Sequence, residues 1–162
     1  MVRNFFYFII FGLLFACKPD NVTPPPAPAE TARVLVNPSF GASPLMLDSI
    51  YQGPNGIRIK VSDIKFFTTL MSNQNNTFAE VAYFDFREKG ALLIEQTLDY
   101  SKFPSLDFVL GVDTSFNHDD PSAFPNNSPL NIMNAGSMHW GWNTGYIFIS
   151  VEGKADTLAD GI

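Results

Sequence analysis

From Ala32 onward the apolar residues arrive in short bursts cut by turn residues, and no burst keeps helical spacing over three turns. That pattern confines the chain to a fold built from strands. Residues 57–64 alternate Ile57, Ile59 and Val61 against Arg58, Lys60 and Ser62, the period-two signature of a half-buried strand, directly after the turn signal Gly53-Pro54-Asn55-Gly56. Residues 66–71 continue it past a bulge expected at Asp63. Residues 32–36, 81–86, 92–98, 106–112 and 146–151 read as further strands. Spaced in this way they predict an all-β domain over residues 32–162, an antiparallel β-sandwich or partly open barrel. Residues 113–137 break the pattern with Asn117-His118-Asp119-Asp120-Pro121 and Pro125-Asn126-Asn127-Ser128-Pro129, and are expected to form one long irregular loop. A loop of that length in a compact domain is commonly functional.

The first 16 residues read as an export signal rather than as part of the fold. Arg3 is their only charge, and the apolar run from Phe5 to Phe15 covers 11 residues, where a membrane span needs about 20. The run ends in Leu14-Phe15-Ala16-Cys17, which resembles the lipobox of bacterial lipoproteins, in which the chain is cut before the cysteine and the cysteine is acylated. Cys17 is the only cysteine of the chain, so no disulfide forms within one molecule. A multiply acylated cysteine would exceed the two-signal requirement for stable membrane attachment. Residues 17–31 then form a lipidated cysteine and a tether, with Pro19, Pro24, Pro25, Pro26 and Pro28 and no aromatic residue. At ~3.1 Å per residue an extended Pro-rich segment of this length reaches roughly 40 Å. The expected location is the cell envelope of a Gram-negative bacterium, on the periplasmic face or at the outer membrane.

Charge and motif content narrow the function. With 16 acidic and 10 basic residues the net charge is -6, and no Lys/Arg cluster offers a footprint for a phosphate backbone, so nucleic acid is excluded as a partner. His118 and His139 are the only histidines, and there is no Gly-x-Ser-x-Gly elbow, phosphate-binding glycine loop or His-Glu-x-x-His pair. The sequence therefore points away from an enzyme. Asp113, Asn117, Asp119 and Asp120 gather carboxylates and an amide of the kind that suits Ca²⁺, without EF-hand spacing; the plain alternative is a solvated turn.

Both tryptophans lie in Met138-His139-Trp140-Gly141-Trp142-Asn143-Thr144-Gly145-Tyr146. If this stretch is extended, Met138, Trp140 and Trp142 share one face and His139 and Asn143 the other, unless Ser137 or Gly141 marks a bulge. On composition alone the two indoles would be core-filling side chains. Together with Ile147-Phe148 and the later Val151-Glu152-Gly153, the stretch resembles the signature of the MbnP-like family, methanobactin-associated periplasmic copper-binding proteins with an approximate Met-x-Trp-x-Trp-x-x-Gly-Tyr motif and a later Glu-Gly. Pro44-Leu45, the turn at residues 51–56, and Phe108-Val109-Leu110-Gly111-Val112-Asp113 followed by Asn117 agree in order, so the resemblance covers residues 44–153. It implies a β-rich periplasmic domain that binds copper, with histidine ligands for which this chain offers only His118 and His139. It also implies that one tryptophan, here Trp140 or Trp142, is oxidised to kynurenine with a di-haem peroxidase-type protein as partner. The family domain continues beyond the Glu-Gly, which makes residues 32–162 a C-terminally shortened member by expectation.

Imidazole and thioether both suit Cu(I), and Met138 and Met133 lie near His139 in the chain. The expected metal set is therefore His118, His139 and Met138, in a lipid-anchored protein that captures or handles copper. The competing expectation is an interaction module that binds a partner protein or a glycan through residues 113–137. Changing Cys17 to Ser is expected to leave an uncleaved or freely soluble precursor; a variant that still fractionates with membranes through detergent-sensitive contact contradicts the anchor.

Overall fold

A computed structural model describes residues 30–141 and 143–157 of the chain. Its strands are β1 (Glu30–Leu35), β2 (Ser39–Phe40), β3 (Ser43–Pro44), β4 (Ile50–Gln52), β5 (Arg58–Asn73), β6 (Asn76–Asp85), β7 (Leu92–Leu98), β8 (Asp107–Leu110), β9 (His139–Gly141), β10 (Gly145–Tyr146) and β11 (Ile149–Asp156). Three one-turn helices, α1 (Phe86–Lys89), α2 (Thr114–Asn117) and α3 (Ile132–Ala135), lie in the connections. The expected all-β class holds, every strand pair is antiparallel, and among the described residues no sheet closes into a barrel. The leader, Cys17 and the Pro-rich tether lie outside the described residues, apart from Glu30 and Thr31, which begin β1.

The sixteen residues of β5 form the axis of the main sheet. Along one side β5 pairs with β4 and then β6, and along the other with β11 and then β8. Both faces of this sheet are covered. Phe66 lies opposite Phe84 and Phe67 opposite Tyr83. Phe84 and Phe66 look toward the β1–β7 pair and pack with Met71, Phe78 and Leu93, whereas Phe67 and Tyr83 look toward residues 112–147 and pack with Leu130, Met138 and Tyr146. A strand with two buried faces needs apolar side chains at consecutive positions, which is why Phe66-Phe67 and Val81–Phe84 read as continuous runs rather than alternating ones.

Most expected strands are present with shifted bounds. The two segments read at 57–64 and 66–71 are one strand with an irregularity beside Asp63: Glu152 faces Asp63 and Gly153 faces Val61, so Ser62 is the extra residue. A Cβ at Gly153 would stand 2.4 Å from the Lys60 carbonyl oxygen, so the bulge requires glycine there. The run expected at 146–151 is two strands, with Ile147 and Phe148 between them. The 113–137 region is also not shapeless. It is a series of tight turns and short helices, three of them begun by the side chain of Asp113, Asp120 or Asn131 accepting from a backbone N–H.

Phe67 has no exposed surface and joins the sheet to the loop layer, so Phe67→Ala is expected to lower stability by about 3–5 kcal/mol. Leu35→Ala, at an exposed position, should fall within about 0.5 kcal/mol of the parent. Urea unfolding of both variants checks the contrast; equal costs would place the core elsewhere.

Candidate functional site

The site is assembled on Tyr146. After β9 the chain turns at Asn143-Thr144 and returns as β10, which sets Tyr146 opposite His139. Gly145, at φ +70°, makes the return possible in a crowded place: a Cβ there would lie 2.5 Å from both the carbonyl and the Oδ1 of Asn117. Asn117 is buried and its Oδ1 accepts from the Tyr146 N–H at 2.9 Å. The Tyr146 ring meets Phe67 edge-on at 5.7 Å and His139 edge-on at 4.8 Å, while its hydroxyl donates to the Leu130 carbonyl. Burial, followed by the negative charges of Asp119 and Asp120, pushes the Tyr146 phenol up to about 12.

Asp113, Asn117 and Asp120 each serve the local backbone. Asp113 caps α2, accepting from the Ser115 N–H at 2.9 Å and its hydroxyl at 2.8 Å, and these bonds hold its carboxyl below the usual range. Asp120 does the same with the Ser122 hydroxyl and N–H, at 2.6 and 2.8 Å, and its carboxyl is likewise lowered. Two of the carboxylates proposed for a hard cation are thus turned onto their own turns, and the Asn117 amide onto β10. Asp119 is exposed. Among the described residues no group of three or more His, Cys, Asp and Glu side chains is disposed to hold a metal ion.

The two histidines are brought to this same corner by different routes. His139 sits half-buried on β9 against the Tyr146 ring. His118, exposed at the end of α2, has its Nε2 3.4 Å from the Nδ2 of Asn117, whose Oδ1 holds Tyr146. Met138 is placed otherwise. It closes a 3₁₀ turn, only 1% of its surface is exposed, and it packs with Phe67, Val112 and Leu130. Trp140 is 76% exposed, which corrects two expectations: it does not fill the core, and it does not share a face with Met138. The reason is the 3₁₀ turn at Gly136–Met138, which ends the extended geometry before His139. The side chain of Trp142 lies outside the described residues.

Other residues organise the site without having been singled out. Thr69, fully buried on β5, donates its hydroxyl to the Gly111 carbonyl at 3.3 Å and accepts from the Asp113 N–H at 3.1 Å, so it pins the start of the loop to the sheet. Asn131 accepts from the Met133 N–H at 3.0 Å and donates to the Phe124 carbonyl at 2.7 Å. The signal for Thr69 was a polar pair, Thr68-Thr69, inside an apolar strand. Beside this layer an open cleft of about 520 Å³ runs between Tyr83, Asp85, Glu88 and Lys89 on one wall and Asn127 and Met133 on the other.

These features define a class: an antiparallel all-β domain whose long loop is folded back on the sheet and brings His118 beside Asn117, while β9 sets His139 against the buried Tyr146. The chain belongs to the MbnP family, whose model matches residues 30–161. That family is linked to methanobactin and to copper. No curated protein and no solved structure matches the chain.

A phenol with a raised pKa keeps its proton in the folded state while the unfolded chain releases it. The stability it contributes is therefore complete below about pH 10 and is lost as pH rises through about 12. Tyr146→Phe is expected to remove one of the phenols that ionise near 12, seen by absorbance titration, and to cost about 1–3 kcal/mol by leaving the Leu130 carbonyl without its donor. An unchanged titration curve would contradict the buried placement.

Proposed function

We propose that this protein is a lipid-anchored copper-binding protein of a Gram-negative cell envelope that captures or handles the metal rather than turning over a substrate. The supporting observation is the convergence of the only two histidines on one buried Asn117–Tyr146 link, one from the long loop and one from β9. Donor chemistry fits copper in kind, because imidazole is a ligand common to its oxidation states. His118 and His139 would hold the ion, and copper would bring Lewis acidity and one-electron chemistry to the corner. Met138 would join them only by leaving the core, so the thioether belongs to a rearranged state. The exposed indole of Trp140 is accessible for oxidation to kynurenine by a di-haem peroxidase-type partner. The family link is what favours that modification; the exposure supplies access.

The protein's own residues explain why such a corner would be stable before metal arrives. Asn117 fixes the loop to β10, the Tyr146 hydroxyl fixes β10 to Leu130, and Gly145 leaves room for the contact. His118 is exposed and His139 is half-buried against the Tyr146 ring, so neither imidazole belongs to the fully buried core. The competing reading, a module that binds a protein or glycan through residues 113–137, is favoured by the open cleft beside Met133. Replacing both His118 and His139 by Ala is expected to abolish Cu(I) binding while circular dichroism stays native and urea unfolding shows a loss of about 0.5–1.5 kcal/mol, that of the ring contact between His139 and Tyr146. Undiminished copper affinity in the folded double variant would favour the module.

A further inference from the structure

Among the described residues, strand β11 ends the main sheet on one side, and its residues from Val151 to Ala155 are exposed. The Phe67 N–H donates to the Phe148 carbonyl at 3.1 Å, which turns Phe148 toward β5. Strand alternation then turns the backbone groups of Ile149, Val151 and Gly153 outward, where they form an edge available for pairing. Val151 is 63% exposed and Ile149 49%, and no proline interrupts the strand.

The charges on this strand are arranged unfavourably toward the sheet. Glu152 lies directly opposite Asp63, and Lys154 directly opposite Lys60. Asp63 has its own partner in Lys65, at 2.7 Å, and Glu152 accepts a 3.3 Å bond from the Ser150 hydroxyl. Like charges opposed across a strand pair are destabilising, and complementary charge brought from the outer side would offset both pairs.

We infer that the outer edge of β11 is a self-pairing surface, and that its occupant is β11 of a second copy of this chain, antiparallel about a two-fold axis at Gly153. In that register Glu152 faces Lys154 of the other copy, and Lys154 faces its Glu152, while Val151 meets Ala155. Shifting the axis to residue 152 would oppose two Glu152 side chains, and shifting it to residue 154 would oppose two Lys154 side chains. The charges therefore favour the Gly153 axis over its neighbours. A closed two-fold contact of this kind joins the two main sheets into one and removes the exposed edge from both. The inference does not depend on copper.

The test uses the full chain in a neutral, density-matched detergent, followed by sedimentation velocity over a concentration series. The unmodified chain is expected to dimerise. Lys154→Glu alone and Glu152→Lys alone should each dimerise roughly tenfold more weakly, because two cross-strand pairs change sign at once. An equimolar mixture of the two variants, one carrying a fluorescent label, should recover a heterodimer, since every facing pair is then Glu against Lys. Circular dichroism confirms that each variant is folded. A parent chain that remains monomeric overturns the inference, as do single variants that associate as tightly as the parent or a mixture that fails to form the heterodimer.

Discussion

The hydrogen-bonded length of β5 is the constraint on which the rest depends. One strand of sixteen residues pairs with four others, two along each side, and both of its faces are buried. Consecutive phenylalanines can then belong to different layers. Phe66 packs beneath the β1–β7 pair, and Phe67 packs beneath the long loop. The loop has little regular structure of its own, yet it is held because Thr69, Phe67 and the strand that carries Tyr146 offer it fixed contacts. Order in the functional region is thus supplied from the sheet.

This arrangement explains why small residues of the family signature stand where they do. Gly145 lets the backbone of β10 pass against Asn117, and Gly153 lets β11 pass the bulge at Ser62. Either Cβ would meet backbone oxygen at 2.5 Å or less, an approach that no rotamer relieves. Tyr146 lies between these constraints and works as a structural pivot: its ring faces the core, its hydroxyl is spent on Leu130, and its backbone is spent on Asn117.

Much of this was legible in the chain. The turn Gly53-Pro54-Asn55-Gly56 and the alternation after it identify the start of β5, and residues 92–98 coincide with β7. The bulge near Asp63 was legible from the break between two apolar runs. What was not legible depends on contacts distant in sequence. Residues 113–137 gave no periodic signal because one-turn helices started by Asx side chains have too few residues to show one. Trp140 read as core because large apolar side chains usually are, but the 3₁₀ turn before His139 sends it to the surface and leaves Met138 inside. The convergence of His118 and His139 was also hidden, since twenty residues separate them and the link runs through an asparagine amide and a tyrosine.

The central claim is that the corner built on Tyr146 carries copper on imidazole nitrogen. X-ray absorption at the copper edge, on the full chain loaded with Cu(I), tests it most directly. The account predicts a centre whose nearest scatterers include nitrogen with the outer-shell pattern of two imidazole rings. A loaded protein whose spectrum shows no imidazole, or a chain that retains no copper after desalting, would contradict it.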